Sequence, residues 1–214
     1  MKNQYVINPI VLASMETVKK IAPHPVVIQI NDVKEEKSKS FGEQMSDAHQ
    51  SPQPVIPVVV NSFGGSCYAL LSIVSEIQNA TKPVATIATG KAMSAGLDIL
   101  AMGTHGYRFA APNSMFLMHE VTYWGEGKVE EVKASAKLID YLNNKIFKML
   151  AKHCGHRDGY FLDIIHQKKH ANWYFNENEA KKHNLIDHIG VPENLIDINV
   201  SYKFKFGNKV LASS

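Results

Sequence analysis

The stretch VIPVVVNSFGGSCYALLSIVSEIQ, residues 55–78, decides the fold class. Its first six residues, Val55–Val60, form a continuous apolar run that predicts a buried β-strand. The pair Gly64-Gly65 then marks a tight turn, and apolar residues at helical spacing from Leu70 to Ile77 predict a helix. A buried strand that passes through a glycine turn into a helix is the basic unit of parallel sheets.

The same order recurs on both sides of this stretch. Upstream, Val26–Ile30 is another buried-strand run, and the polar segment Phe41–Ser51 between the two strands fits a crossover helix. Downstream, the strand run Val84–Ala88 is broken by Gly90, and a helix rich in small residues follows over Met93–Met102. This alternation predicts an α/β fold with a mostly parallel sheet.

The second half of the chain predicts short strands and one long helix. Apolar positions recur in steps of three or four from Val129 to Leu150, which predicts an amphipathic helix longer than the usual 11 to 12 residues or so. A helix of this length is expected to project from the domain. The remaining expected elements are strands at Tyr107–Ala110, Ser114–Met118, Leu185–Ile189 and Tyr202–Phe206, and helices at Tyr160–Lys169 and Glu177–His183.

Composition narrows the class of protein. The chain has 214 residues, 45% hydrophobic and 20% charged, which is typical of a folded globular protein with a sizeable core. The net charge of +3 comes from dispersed lysines, with Arg108 and Arg157 as the only arginines, and this argues against nucleic acid binding. No apolar run reaches the roughly 20 residues of a membrane helix and no secretory signal pattern is present, so a cytoplasmic location is expected. Cys67 and Cys154 form no C-x-x-C pair, which predicts buried or half-buried thiols.

Two residues carry the candidate chemistry. Ser94 lies among small residues where a strand gives way to a helix, so its hydroxyl could be aimed outward beside free N–H groups. On spacing alone, a helix cap is the more common role of such a serine. His119 comes at the end of an apolar strand, where α/β sheets place their sites. The pair Gly64-Gly65, also just past a strand end, offers further backbone donors or is an ordinary turn.

Taken in order, these motifs closely resemble the proteolytic subunit of the Clp protease, the ClpP family of serine peptidases. The resemblance spans roughly residues 26–190 and rests on NSFGG at 61–65, Gly90–Gly96, PNSMFLMH at 112–119, the long helix, Glu179-Ala180 and Leu185–Asp187. It implies repeated ββα units of the ClpP/crotonase kind, with the long helix as a protruding handle at about 128–153. It also implies polypeptide substrates, a homo-oligomer of two stacked heptameric rings, and an AAA+ unfoldase as partner, since the chain has no phosphate-binding loop of its own.

The resemblance further implies roles for individual residues. Ser94 would be the nucleophile, His119 the general base, and the N–H groups of Gly64 and Ala95 the oxyanion hole. An extended peptide would add to a strand edge and bind mainly through its backbone. The residues expected to bind it are Gly65, Ser66, Gly125 and Gly127. No cofactor and no metal are expected, since the many histidines form no H-E-x-x-H or comparable set.

The sequence departs from the family pattern in four places. Phe63 replaces the proline of the usual NSPGG, and the N-terminal arm does not match the family's axial-loop segment. The third triad position, an aspartate in the family, falls on Asn172, and Ala171 replaces its basic neighbour. An asparagine carbonyl can hold the imidazole in the right tautomer but brings no negative charge, so a slow or partner-activated enzyme is expected. The carboxylates that could serve instead are Asp163, Asp187 and Glu120.

Other interpretations stay open. A crotonase-like acyl-CoA enzyme would use the paired backbone donors and need neither Ser94 nor His119. A catalytically weak ring subunit, paired with an active ClpP-like chain, would account for Phe63 and Asn172. Lys91, three residues before Ser94, suggests a Ser-Lys dyad but is more simply a solvated side chain.

The chain is expected to divide into three parts. Residues 1–24 form an N-terminal arm, 25–195 the ClpP-like peptidase domain, and 196–214 a C-terminal tail or strand. The arm ends at Pro23-His24-Pro25, because prolines at this spacing cannot continue a helix.

Overall fold

The computed structural model describes residues 26–193 and, outside that range, the backbone of four strands near the chain ends. The strands are β1 (Asn3–Ile7), β2 (Ile28–Ile30), β3 (Ile56–Ser62), β4 (Val84–Met93), β5 (Arg108–Ala110), β6 (Met115–Met118), β7 (Trp173–Asn176), β8 (His188–Ile189), β9 (Asn194–Ile198), β10 (Lys203–Phe206) and β11 (Lys209–Ser213). The helices are α1 (Glu35–Gln50), α2 (Cys67–Gln78), α3 (Ala95–Ala101), α4 (Val129–His153), α5 (Tyr160–Gln167) and α6 (Glu177–Lys182). Apart from β1, the predicted arm at 1–24 lies outside the described residues.

A seven-stranded sheet forms the middle of the domain. Five strands run parallel in the order β2-β3-β4-β5-β8. β6 pairs parallel with the end of β4, and β7 pairs antiparallel with β6. Near the chain ends, β1 pairs antiparallel with β9, and β10 with β11. The predicted α/β class with a mostly parallel sheet is confirmed.

Strand β4 is longer than its sequence predicts, because Gly90 bends the strand instead of ending it. Residues 86–88 pair with β5 and residues 91–93 pair with β6, so the strand changes partner at Gly90, whose φ is +115°. Glycine adopts this backbone without the steric cost that other residues meet. The prediction of a strand break at Gly90 and a helix from Met93 is therefore wrong, since β4 continues to Met93 and α3 begins at Ala95.

Helix α1 begins earlier than the predicted Phe41. Its first turn carries Glu35 and Glu36, and acidic side chains stabilise a helix N-terminus through the helix dipole. A narrow apolar face, with Phe41, Met45 and Ala48 buried, packs on the neighbouring α2. The polar first turn hides this start from a search for apolar periodicity.

Helix α4 has a buried half and an exposed half. Near its end it buries Leu142, Ile146, Phe147, Leu150 and Ala151. Its first half instead exposes the apolar side chains of Val129, Val132, Leu138 and Tyr141, spread over more than one face of the helix. The predicted helix at about 128–153 is confirmed. Among the helices in the described part of the chain, α4 included, none has an apolar stretch that could cross a bilayer.

A buried ion pair holds β5 against the segment before β8. Arg108 donates to Asp187 through Nη2 at 2.6 Å and through Nε at 2.9 Å. Asp187 also accepts the N–H groups of Gly106 and Arg108, and Arg108 Nη1 donates to the carbonyl oxygen of Asn184 at 2.7 Å. Although burial alone would raise it, these bonds hold the pKa of Asp187 below its usual range. The ion pair therefore fixes the segment before β8 to β5, at one side of the sheet.

Candidate active site

Ser94 and His119 follow the ends of two adjacent parallel strands. β4 and β6 pair with Met93 opposite Leu117, and the N–H of Ser94 donates to the carbonyl oxygen of Leu117 at 2.8 Å. Since β6 ends at Met118, His119 leaves the same edge of the sheet one residue later. Both predicted residues therefore lie at the carboxyl edge of the parallel sheet, where α/β proteins build their sites.

The backbone of Ser94 is strained. Its φ of 53° and ψ of −129° lie outside the regions that L-residues populate readily. Ser94 is the N-cap residue of α3, but its hydroxyl makes no capping hydrogen bond, so helix capping does not explain the serine. Strain of this kind costs about 1 to 3 kcal/mol and clusters at functional sites. A sharp, strained turn from strand to helix is also how hydrolases present a nucleophilic serine.

Gly64 packs directly against this serine, and Gly65 packs against Val33. A side chain at Gly64 would place its Cβ 2.8 Å from the Cβ of Ser94 and 3.1 Å from the nitrogen of Ala95. A side chain at Gly65 would place its Cβ 2.1 Å from the carbonyl oxygen of Val33. The two φ angles are +102° and +150°. Only glycine fits at either position, so close packing as well as the turn accounts for the pair.

The two predicted oxyanion donors differ in their present partners. The N–H of Gly64 donates to Ser62 Oγ at 3.1 Å. Ala95 is the first residue of α3, so its N–H has no acceptor within the helix. Ala95 can therefore donate to an oxyanion in this conformation, whereas Gly64 must first release Ser62.

The imidazole of His119 is held in one tautomer. Its Nδ1 hydrogen-bonds the carbonyl oxygen of Glu120 at 2.5 Å. Because a carbonyl oxygen can only accept, Nδ1 carries a proton, and the neutral form of this ring has its lone pair on Nε2. A neutral imidazole with a free Nε2 is the form that a general base requires.

Asn172 lies beside His119 in the strand register without orienting its ring. β7 runs antiparallel to β6 with Trp173 opposite Met118, so extending the register by one residue brings Asn172 opposite His119. The side chain of Asn172 is exposed, and among the hydrogen bonds of residues 26–193 none joins it to His119. The fold therefore brings the predicted third triad residue close to the second, but the bond between them is not made in this conformation.

The carboxylates that could replace Asn172 are bonded elsewhere. Asp163 pairs with Arg157 on the surface, and Asp187 is held by the buried arginine described above. The carboxylate of Glu120 lies 2.7 Å from His170 Nδ1 and 3.4 Å from Asn143 Nδ2. These partners explain all three carboxylates without a bond to the candidate base.

Glu120 also belongs to a cluster with His166 and His170. Their potential ligand atoms all lie within 4.8 Å of one another. The expectation of no metal rested on motif spacing, which does not detect residues that only the fold brings together. Both histidines are exposed, and the bond between His170 and Glu120 already accounts for that pair, so we assign no ion to the cluster.

A cavity opens between the candidate catalytic residues and helix α4. It has a volume of about 60 Å³, and both Ser94 and His119 line it. Its apolar wall includes Leu70, Met118, Ile146, Phe147 and Leu150. The buried half of α4 thus forms one side of the candidate site.

Asp98 is a site residue that the sequence analysis missed. It lines the same cavity, and its N–H donates to the carbonyl oxygen of Ser94 at 3.2 Å, which places it one helical turn after the serine. Burial raises the pKa of Asp98 to about 7. The signal was present in the sequence as a single acid inside Leu97-Asp98-Ile99-Leu100, an otherwise apolar helical segment.

The predicted peptide-binding residues lie in two places. Gly65 lines the cavity, whereas Gly125 and Gly127 lie in the exposed segment before α4. Ser66 is the N-cap of α2, where its Oγ accepts from two N–H groups of the first turn and donates to Glu35 Oε1 at 2.6 Å. The side chain of Ser66 is therefore committed to the structure.

Lys91 has partners other than the serine. Its Nζ donates to Asn61 Oδ1 at 3.1 Å and lies 4.4 Å from the centre of the Phe63 ring. Phe63 is 72% exposed, so the residue that replaces the family's proline packs under this ammonium on the surface. These contacts give no support to a Ser-Lys dyad.

Comparison with known proteins agrees with the order of motifs. The sequence model described as Clp protease matches residues 13–193. Over 162 residues the chain is 32% identical to the ATP-dependent Clp protease proteolytic subunit 2 of Frankia casuarinae. This alignment covers 76% of this chain and 72% of that protein. Over 165 residues it is 30% identical to the protein of the same name from Cutibacterium acnes, and this alignment covers 77% of this chain and 76% of that protein. The resemblance is therefore confirmed, and the chain belongs to the Clp protease family.

Proposed function

We propose that the chain is a serine endopeptidase of the Clp type, which cleaves unfolded polypeptides inside an oligomeric chamber. Membership of the Clp protease family makes it a peptidase. The observation that carries the serine mechanism is the strained backbone of Ser94, which packs against Gly64 and shares a cavity with His119. The family match likewise favours a peptidase over the acyl-CoA alternative.

In the proposed reaction, Ser94 Oγ attacks the carbonyl carbon of the peptide bond while His119 Nε2 takes the hydroxyl proton. The oxyanion accepts from the N–H of Ala95 and from that of Gly64 once it is released from Ser62. His119 then returns the proton to the leaving amine, and water hydrolyses the acyl-enzyme through the same residues.

Orientation of His119 relies on neutral acceptors. Its Nδ1–H now bonds to the carbonyl oxygen of Glu120, and Asn172 Oδ1 is the acceptor that the family pattern assigns to it. Neither group carries the negative charge that stabilises an imidazolium ion. In a serine triad whose aspartate was changed to asparagine, kcat fell by about 10⁴. We therefore expect Asn172 to support a slow reaction.

The exposed apolar side chains on the first half of α4 support assembly. Val129 is 69% exposed and Tyr141 61%, and a second helix packed against this half would bury such side chains. In the proposed assembly, two heptameric rings stack through these helices in the cytoplasm, and an AAA+ unfoldase supplies the polypeptide. The division into an arm at 1–24, a domain at 25–195 and a tail at 196–214 stays a prediction.

A second candidate is a structural ring subunit that assembles with an active ClpP-like chain. Two observations favour it: the N–H of Gly64 is occupied by Ser62, and Asn172 makes no bond to His119 in the described part of the chain. On this view the site would be a remnant.

Labelling with a small fluorophosphonate probe, read by intact mass, separates the two candidates. The proposed function predicts labelling of the full-length protein that disappears in Ser94→Ala. It also predicts faster labelling in Asn172→Asp, because the added charge stabilises the imidazolium form of His119. If neither the natural protein nor Asn172→Asp is labelled, the structural subunit is the better conclusion.

A further inference from the structure

Asp98 brings an unpaired carboxylate into the cavity beside the proposed nucleophile. Among residues 26–193, no hydrogen bond or ion pair involves this carboxylate, and burial alone accounts for its raised pKa. The charge of Asp98 contributes to the raised pKa of the Cys67 and Cys154 thiols, and neither thiol can neutralise a carboxylate. The side chain of Asp98 is half-buried, so water solvates its carboxylate in part, and a cationic ligand in the cavity would replace that water with an ion pair.

The other acid of the cavity is already engaged. Glu120 also lines it, but its carboxylate is bonded to His170 and to Asn143. Asp98 is therefore the carboxylate in this cavity that remains available to a ligand.

The position of Asp98 relates it to the scissile bond. The bond from its N–H to the carbonyl oxygen of Ser94 places Asp98 one helical turn after this N-cap serine, and both residues line the same cavity. A substrate carbonyl at Ser94 Oγ carries its own side chain directly beside it. That side chain would then point into the adjoining cavity, which Asp98 lines.

The shape and lining of the cavity suit a long basic side chain. The volume of about 60 Å³ has room for about four water molecules. Leu70, Ile146 and Phe147 provide apolar wall for methylene groups. Lysine and arginine pack their aliphatic stems on such surface while the charged end reaches a polar group.

We propose that Asp98 is a specificity-determining residue, and that the enzyme cleaves after lysine or arginine because the side chain preceding the scissile bond pairs with the Asp98 carboxylate. This inference rests on the proposed function, since it requires acylation of Ser94. Without the carboxylate, the same apolar cavity would favour an apolar side chain.

Two peptidyl diphenyl phosphonates that differ only in the residue next to phosphorus test the proposal. One carries lysine and the other norleucine, its uncharged counterpart of similar length. Ser94 Oγ forms a bond to phosphorus and phenol leaves, so intact mass at pH 8.5 gives the labelling rate of the assembled full-length protein. The variants are Asp98→Asn, Asp98→Glu and, as a matched surface control, Asp47→Asn, whose side chain is exposed on α1.

We expect the natural protein and Asp47→Asn to react about 100-fold faster with the lysine probe than with the norleucine probe, because a desolvated ion pair forms in the cavity. Asp98→Asn should abolish or invert the ratio while the small fluorophosphonate still labels Ser94. Asp98→Glu should keep a preference for lysine.

The outcomes separate this inference from the function on which it rests. If the fluorophosphonate labels the natural protein but the two peptidyl probes react equally, the specificity proposal is overturned and the serine mechanism stands. If Asp98→Asn slows both probes and the fluorophosphonate alike, Asp98 serves the chemistry and not the choice of substrate. If the fluorophosphonate does not label Ser94 at all, both proposals fail together.

Discussion

Replacement of Asp98 by asparagine should stabilise the folded protein, and by more as the pH rises. Below pH 3.8 or so, the carboxyl is protonated in both the folded and the unfolded chain. Between that value and about pH 7, the unfolded chain loses its proton while the folded chain keeps it, so the folded state loses stability as the pH rises. Above about pH 7 the carboxyl is ionised in both states, and the loss of folding stability is complete.

The size of the effect follows from the two pKa values. At about 1.4 kcal/mol for each pH unit between 3.8 and about 7, ionised Asp98 lowers the free energy of unfolding by at most about 4 kcal/mol. Water that enters the cavity will reduce this figure. Between pH 5 and pH 8.5, the advantage of Asp98→Asn should therefore grow by up to about 3 kcal/mol.

Urea denaturation at both pH values, at one fixed protein concentration, measures this difference. The groups that face Asp98 or share its cavity are His119, Glu120 and the thiols of Cys67 and Cys154. They are present in both proteins and so contribute little to the comparison. If Asp98→Asn raised the free energy of unfolding by the same amount at pH 5 and pH 8.5, burial of the charged carboxylate would not be the reason that Asp98 lowers stability.

Gly64→Ala should lower the free energy of unfolding by about 2 kcal/mol and prevent fluorophosphonate labelling, because the new Cβ would lie 2.8 Å from the Cβ of Ser94 and φ is positive. The control Gly155→Ala, whose Cβ would meet no atom within 4 Å, should cost less and keep labelling. Asp187→Ala should lower the free energy of unfolding by about 3 to 5 kcal/mol, because it leaves Arg108 buried without its partner; a loss below about 1 kcal/mol would contradict that role. Tyr141→Lys should reduce assembly, measured by analytical ultracentrifugation, while leaving the fold intact by circular dichroism. An unchanged oligomer would show that the exposed side of α4 around Tyr141 is not the interface.

The sequence was most informative where one physical signal dominates. The apolar run before Gly64 predicted β3, and the steps of three and four predicted α4 almost to the residue, because burial on one face imposes such patterns. It was wrong at Gly90, since the permissive backbone of glycine can either end a strand or bend one. The surrounding strands decide between the two, and they are distant in sequence.

The candidate site shows the same limit. Motif order identified Ser94 and His119, which the fold indeed places at one edge of the sheet. Asp98 was missed because its significance lies in what surrounds it, namely an apolar cavity closed by α4. The present partner of the His119 ring was equally inaccessible, since the choice between Glu120 and Asn172 as acceptor depends on local loop geometry and not on residue type.

The bend at Gly90 gives the two halves of β4 different structural roles. Its first half is locked between β3 and β5 in the interior, while its second half ends at the serine and is registered on β6. A change among the early residues of the strand will therefore act on how firmly the chain folds. A change at Gly90, whose φ is +115°, will instead act on the orientation of Ser94, four positions away, without contact with the serine.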